Sequence, residues 1–261
     1  MITITSAQLN AWITAFAFPL SRVLGVMATA PLFNNASLSP MLRLIGGLAI
    51  TIAIAPVIPA VPAIPAGSWL GLAVLAQQML IGVLIGFVLR IAFAAVDLAG
   101  DLAGLQMGLS FAVFYDPQNT AQTPVVAEFF NLLAVLIYIA ANGHLMSLAA
   151  LAESFTLLPI SAAPFAAKGL MDIVHWGAVV FATGLLLALP LVAALLIANL
   201  ALGVLSRIAP QLNLFAVGFP VTIVSGFVVL ALTLPLFGTA LARLFDDAFA
   251  VLRRVLLAGV V

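Results

Sequence analysis

Residues 173–206 read IVHWGAVVFATGLLLALPLVAALLIANLALGVLS, a run of 34 residues without a single Asp, Glu, Lys or Arg. Two further runs, 44–89 and 208–242, hold 46 and 35 uncharged residues. About 20 apolar residues are enough for a helix to cross the hydrocarbon core of a bilayer. Because lipid cannot satisfy backbone polar groups, runs of this length predict helices and not strands. We therefore expect an all-α polytopic membrane protein.

The rest of the chain divides into similar segments. Six hydrophobic segments are predicted at about 11–33, 42–60, 69–92, 125–150, 173–200 and 212–237, with a shorter amphipathic helix at 239–257. The prolines within Pro56–Pro65 and Pro159–Pro164 predict connectors, because proline interrupts a helix. We expect a single membrane domain over 1–261, with possible halves 1–160 and 161–261.

The composition restricts the function. Hydrophobic residues make up 66% of the chain and charged residues only 6%, against about a quarter charged in soluble domains. Eight cations balance eight anions, so the chain lacks the basic face that binds nucleic acid. Cys is absent, and the two histidines form no zinc-protease motif. We therefore expect no enzyme, no metal site and no cofactor.

Arg22 interrupts the apolar stretch of the first segment. A charge at the centre of a spanning helix costs about 3 kcal/mol. Arg22 therefore either reaches a membrane surface or has a carboxylate or carbonyl partner inside the protein. Asp97 and Asp101 are the available acids, and they share one helix face. They could equally form a solvated helix end or pair with Arg90.

Small residues recur every fourth position and predict close helix packing. The glycines concerned are Gly82, Gly86, Gly100, Gly104 and Gly108. Asn199, Gly203 and Arg207 repeat the same step and place two polar groups on one face. Within lipid such a face is expected to be covered by protein, so these residues are predicted to be buried.

Several strings together resemble one known family, that of the flagellar biosynthetic protein FliR, over about residues 10–250. The strings are Arg22, Ala30–Phe33, Pro40–Arg43, Leu80–Phe87, Ala99–Gly100, Gln106–Ser110, Tyr115–Gln118, Asn142–His144, Ser154–Phe155, Asn199–Gly203 and Arg207–Pro220. The last string is the most specific of them. Gln78 departs from the pattern, because the family often carries Glu there, and the change removes one candidate partner for a buried arginine.

The resemblance implies a subunit of the type III export gate in the bacterial inner membrane, within the flagellar basal body. Its implied partners are the P and Q subunits, the B subunit, membrane lipid and unfolded rod, hook and filament proteins in transit. The helices would form hairpins in a hetero-oligomeric gate. Buried structural roles are expected for Arg22, Arg43, Asp97, Asp101, Asn199, Arg207, Gln211 and Asn213.

The resemblance also implies a plug that closes the gate at rest, from Gln106 to about Gln122. Its residues are Gln106, Met107, Gly108, Phe111, Phe114, Tyr115, Asp116 and Pro117. Aromatic rings fill a narrow pore well, and apolar constrictions block ions by dewetting. An ordinary surface loop is the alternative interpretation of this stretch.

Two other functions remain open from the sequence. The injectisome counterpart of the family differs from the flagellar member in no feature that we can identify. A small-molecule secondary transporter would place ionisable groups at the bilayer midplane and would show internal repeats. We find no repeat in the chain.

Overall fold

The computed structural model describes residues 5–33, 38–109, 124–209 and 214–259. Regular structure within these ranges is helical throughout. A short 3₁₀ turn, Ala55–Val57, follows the second helix. The helices are α1 (Ser6–Thr29), α2 (Pro40–Ile54), α3 (Trp69–Gln106), α4 (Val125–Ala140), α5 (Gly143–Leu157), α6 (Ala167–Trp176), α7 (Ala178–Ile208) and α8 (Leu214–Ala258).

The expectation of an all-α polytopic membrane protein is confirmed. Five stretches of the described chain are long and apolar enough to cross a bilayer, and the pair α4–α5 makes up to six. The five are Gln8–Thr29, Pro40–Val57, Trp69–Gln106, Ala167–Ile208 and Val217–Ala258. Thr5 begins α1 with a capping box to Gln8, and Ser39 caps α2 ahead of Pro40, as short polar residues do at helix starts.

Several predicted boundaries were wrong. Helix α3 continues to Gln106 instead of ending near 92, because its acids and glycines between 92 and 106 do not break a helix. The segments 212–237 and 239–257 form one continuous helix, α8, which contains Pro220 and Pro235. The segment 125–150 is divided into two helices, α4 and α5.

The break between α4 and α5 lies at Asn142, which adopts a left-handed conformation with φ 58°. Asn is one of the few residues that tolerate this region, because its short side chain can hydrogen-bond locally. Gly143 follows and begins α5. One residue outside the right-handed region is enough to redirect the chain. A hydropathy profile does not reveal such a change of backbone conformation.

Helix α3 ends at a second left-handed residue, Gly108, with φ 79°. The amide of Gly108 donates to the Leu105 carbonyl, and the amide of Leu109 donates to the Gly104 carbonyl, both at 3.1 Å. This pattern is a Schellman motif, in which glycine satisfies the last carbonyls of a helix. The end of α3 is therefore set by local chemistry, at the base of the stretch interpreted as a plug.

The described chain forms two compact units, each built from separate stretches. The first unit contains residues 1–91, 142–177 and 246–261, and the second contains 92–141 and 178–245. The single membrane domain over 1–261, and its possible halves, stay a prediction.

In the first unit, α1 and α3 are in backbone contact through glycines. A Cβ added at Gly82 would overlap the Arg22 carbonyl, and one added at Gly25 would overlap the Met79 carbonyl. At Gly86 the added atom would meet Thr29. The Thr29 hydroxyl donates to the Val83 carbonyl at 3.1 Å. The two helices can approach this closely only because neither presents a side chain at these positions.

The second unit has an aromatic core. The Phe93 ring lies 5.6 Å from Tyr138 and 5.2 Å from Phe245, and Tyr138 meets Phe245 edge-on at 4.9 Å. Phe130 and Phe237 form a further pair at 4.5 Å. These separations are those of attractive edge-to-face and tilted pairs. The cluster joins α3, α4 and α8 within this unit.

We expect Gly82→Ala to lower the free energy of unfolding by about 1–3 kcal/mol, because the new methyl group displaces the α1 backbone. Gly238→Ala is the matched control, because an added Cβ there meets nothing within 4 Å. Unfolding of the purified chain in detergent micelles measures both. Equal stability of the two variants would contradict a backbone contact between α1 and α3.

Candidate functional site

Arg22 occupies the centre of the first unit and has no solvent exposure. Its Nε donates to Gln78 Oε1 at 2.9 Å, and its Nη2 donates to the same oxygen. Nη1 donates to the carbonyl and the hydroxyl of Ser154 at 2.7 and 3.1 Å. Nη2 also donates to the Leu158 carbonyl at 2.9 Å. A guanidinium carries five N–H donors, and these five bonds use them all.

All of these acceptors are neutral oxygens, so other features must offset the charge of Arg22. The Ser154 and Leu158 carbonyls belong to the last turn and the C-cap of α5, where the helix dipole favours a cation. The Phe155 ring lies 4.2 Å from the guanidinium carbon, which adds a cation–π contact. We call Arg22, Gln78, Ser154, Phe155 and Leu158 the arginine pin.

Of the two kinds of partner expected for Arg22, carbonyl and carboxylate, the structure shows only the first. Carbonyl oxygens serve as predicted, but the carboxylates of Asp97 and Asp101 do not, since neutral acceptors use every guanidinium N–H. Sequence reasoning noted Gln78 only as a missing carboxylate, yet its amide oxygen is the main side-chain acceptor. The Gln78 amide nitrogen is buried without a hydrogen-bond partner. This buried donor is an energetic cost that a carboxylate would not carry.

Asp97 and Asp101 lie on α3 in the second unit, and both are half-buried. Asn131 of α4 donates its Nδ2 to Asp97 Oδ1 at 3.0 Å. Helices α3 and α4 pack closely near this contact, as shown by Gly100, where an added Cβ would overlap Ala127. Gly104, by contrast, has room for a Cβ at 3.8 Å from Val126, so only Gly100 is sterically required here.

The base of the predicted plug is fixed in the second unit. Met107 is fully buried, and its side chain lies where a Cβ of Gly226 would be. The Thr222 hydroxyl donates to the Met107 carbonyl at 3.3 Å. Gln106 is half-buried beside it. The other predicted plug residues lie outside the described residues, namely Phe111, Phe114, Tyr115, Asp116 and Pro117.

The face Asn199–Gly203–Arg207 is exposed in the single chain, so its predicted burial stays a prediction that another chain would have to fulfil. Asn199, Gly203 and Arg207 are all exposed on α7, and a Cβ at Gly203 would meet nothing within 4 Å. We call these three residues the α7 stripe. Arg43 is half-buried on α2. Gln211 and Asn213 lie outside the described residues.

The described part of the chain offers little for acid–base or metal chemistry. Its Asp, Glu and His side chains form no group of three or more that could hold a metal ion. The arrangement instead has two notable structural features. The first is the buried arginine pin in the first unit, and the second is the exposed α7 stripe in the second unit. Fold and site together define a polytopic helical membrane protein.

Comparison with known proteins identifies the family. The model of "Bacterial export proteins, family 1" matches residues 13–248. The flagellar biosynthetic protein FliR of Pectobacterium carotovorum subsp. carotovorum is 42% identical over 259 residues, which cover 98% of each chain. Its Escherichia coli K12 counterpart is 40% identical over 256 residues, again 98% of each chain. The Bacillus subtilis protein of the same name is 28% identical over 249 residues, 93% of this chain and 94% of the relative.

The chain therefore belongs to the family of the flagellar biosynthetic protein FliR. It is a membrane-embedded component of flagellar type III protein export. Its relatives carry names of export and flagellar biosynthesis proteins and not of enzymes.

We expect Gln78→Glu to raise the free energy of unfolding by about 1–3 kcal/mol. The carboxylate removes the unpartnered buried nitrogen and turns the two guanidinium–amide hydrogen bonds into an ion pair. Gln78→Leu should lower it by about 3–5 kcal/mol, because it leaves part of a buried guanidinium without an acceptor. Denaturant titration of the purified chain measures both changes.

The control for this pair is Gln8→Glu. Gln8 is exposed and its side-chain oxygen accepts from the Thr5 amide, a role that Glu fills equally well. Its stability should stay within about 0.5 kcal/mol of the parent. If Gln78→Leu were as stable as the parent chain, the arginine pin would make no contribution to the free energy of unfolding.

Proposed function

We propose that this chain is one subunit of the flagellar type III export gate in the bacterial inner membrane. With the P and Q subunits it forms the channel through which unfolded rod, hook and filament proteins leave the cell, and the B subunit joins the same assembly. The three relatives named above are flagellar proteins, which favours this system over the injectisome.

The observation that carries the proposal is the uncovered state of α7 and α8. In the most apolar stretch of Ala167–Ile208 only 22% of the residues are buried within the chain, and in that of Val217–Ala258 only 17% are. The corresponding share for α3 is 61%. Bare apolar surface alone would suit lipid as well as protein. The α7 stripe favours protein over lipid, because a charge and an amide on a lipid-facing helix are costly.

A partner subunit would resolve this cost. Polar groups on packed membrane helices hydrogen-bond across the interface, and a small residue between them lets the two backbones approach. The α7 stripe has this form, with Gly203 between Asn199 and Arg207 at four-residue spacing. We therefore assign the stripe to the contact with another gate subunit.

A small-molecule transporter remains the competing class. It would function as the purified chain alone, whereas a gate subunit needs its partners. Uptake of a radiolabelled solute by vesicles containing only this chain would favour the transporter. Stable co-purification with the P and Q subunits favours the gate.

We expect Arg207→Ala to reduce the yield of the co-purified complex severalfold, and Arg207→Lys to retain part of it. Arg207 lies in the last turn of α7, where a cation is favoured by the helix dipole and can also reach a partner's carbonyls. Gly203→Leu should block assembly outright by holding the helices apart. Arg90→Ala, an exposed arginine on α3, is the control.

Native mass spectrometry of the complex after co-expression gives the readout for these variants. The level of the chain in the membrane is measured in parallel, so that loss of folding is separated from loss of assembly. A normal yield of complex carrying Gly203→Leu would remove the packing role of the α7 stripe.

We further propose that the stretch beginning at Gln106 closes the channel at rest. The fixed base at Met107 and the glycine at Gly108 support this, because a pore closure must be attached at one end and able to change its backbone angles. Deletion of 110–120 should leave the complex assembled and make it leak small ions. Conductance in a planar bilayer tests this, and an assembled complex as tight as the parent would contradict it.

A further inference from the structure

A groove of about 340 Å³ opens on the surface of the first unit, between α5 and the end of α8. Its volume falls within the range of about 300–1,000 Å³ that is usual for ligand clefts. Apolar side chains dominate its walls, with Met146 and Leu157 from α5 and Phe249, Leu252 and Leu256 from α8. The groove is therefore mostly apolar and only partly enclosed.

The groove is polar at one place only among its lining residues. Arg253 and Glu153 both line it, and Arg253 Nη2 lies 3.0 Å from Glu153 Oε1. Two thirds of the Arg253 side chain remains exposed. An exposed pair of this kind contributes little to stability, and a guanidinium carries five N–H donors, more than this one contact uses.

Further cations lie at the same end of α8. Arg254 is exposed and follows Arg253 directly. Helix α6 reaches this end too, because the backbone at Gly169 approaches the Val255 carbonyl, and the exposed Lys168 immediately precedes Gly169. Two further cations, Arg254 and Lys168, therefore lie beside residues at this end of the groove, next to the one Arg–Glu pair that lines it.

We propose that this groove binds an anionic phospholipid, with an acyl chain along the apolar walls and the phosphate at Arg253 and Arg254. The chemistry of the two parts matches the ligand. Apolar walls gain from contact with a hydrocarbon chain, and basic residues near the membrane surface attract anionic headgroups. An arginine can hold a phosphate through two parallel N–H donors. This site is independent of the gate proposal and rests on the geometry of one unit.

The experiment uses the full chain in membrane vesicles and a phosphatidylglycerol whose acyl chain carries a photoreactive diazirine. After illumination, mass spectrometry locates the label. We expect labelling on the α5 and α8 walls of the groove, and at least severalfold less from a phosphatidylcholine probe of the same chain length. Equal labelling by both lipids would overturn the headgroup assignment.

Variants test the two parts of the site separately. Arg254→Gln should reduce labelling about fivefold, the effect of about 1 kcal/mol per cation at an anionic membrane surface. Arg253→Gln should do at least as much. Ala149→Leu and Ala250→Leu add bulk to the groove from lining positions that are exposed and should abolish the label. Arg243→Gln and Ala193→Leu, exposed positions elsewhere, should leave it unchanged.

Two further outcomes would overturn the proposal. Inorganic phosphate could compete with the lipid probe at millimolar concentration, which would indicate a simple anion site without an acyl chain. The label could also vanish when the P and Q subunits are co-expressed while the groove walls become protected, which would make the groove a protein contact. Retained labelling in that complex supports the lipid.

Discussion

The first unit depends on burying one guanidinium. Arg22 must reach the α5 carbonyls, and its own backbone must lie against α3. These two requirements explain the neighbouring sequence. Gln78, Gly82 and Gly86 recur at four-residue intervals, so they share one face of α3. Gln78 receives the arginine side chain, and Gly82 admits the Arg22 backbone one turn later. A larger residue at 82 would move the guanidinium away from its acceptors.

Much of this architecture is readable from sequence, and the unreadable parts have specific causes. The spans follow from hydropathy because lipid leaves only helices possible. The glycine pair Gly82 and Gly86 indicated close packing, and the structure supplies the partner helix. The sequence predicted a carboxylate or carbonyl partner for Arg22 but missed the Gln78 amide oxygen, because an uncharged side chain does not stand out as a partner for a cation. The turn at Asn142 depends on one φ angle, which no periodicity records.

Exposure on α7 is the other place where sequence reasoning was insufficient. Hydropathy identifies a helix that avoids water, but it does not distinguish lipid from protein as the covering medium. The glycine spacing at Gly203 looks the same as that at Gly82, yet one faces a helix backbone and the other faces open space. The difference belongs to the tertiary structure and, as we propose, to the assembled gate. A chain that completes its surface only in a complex leaves such positions uncovered when it is considered alone.

Because its acceptors are neutral, the contacts of Arg22 do not depend on the protonation of a carboxylate. A buried arginine paired with a carboxylate loses its partner's charge when that carboxylate is protonated, so the packing of the helices would follow pH. Here the acceptors are the amide of Gln78, the hydroxyl of Ser154 and two backbone carbonyls. None of these groups titrates in the range where carboxylates do. The compensation by the α5 dipole and the Phe155 ring is likewise fixed by geometry. The arginine pin therefore holds α1, α3 and α5 together by contacts that proton uptake by an acid cannot weaken.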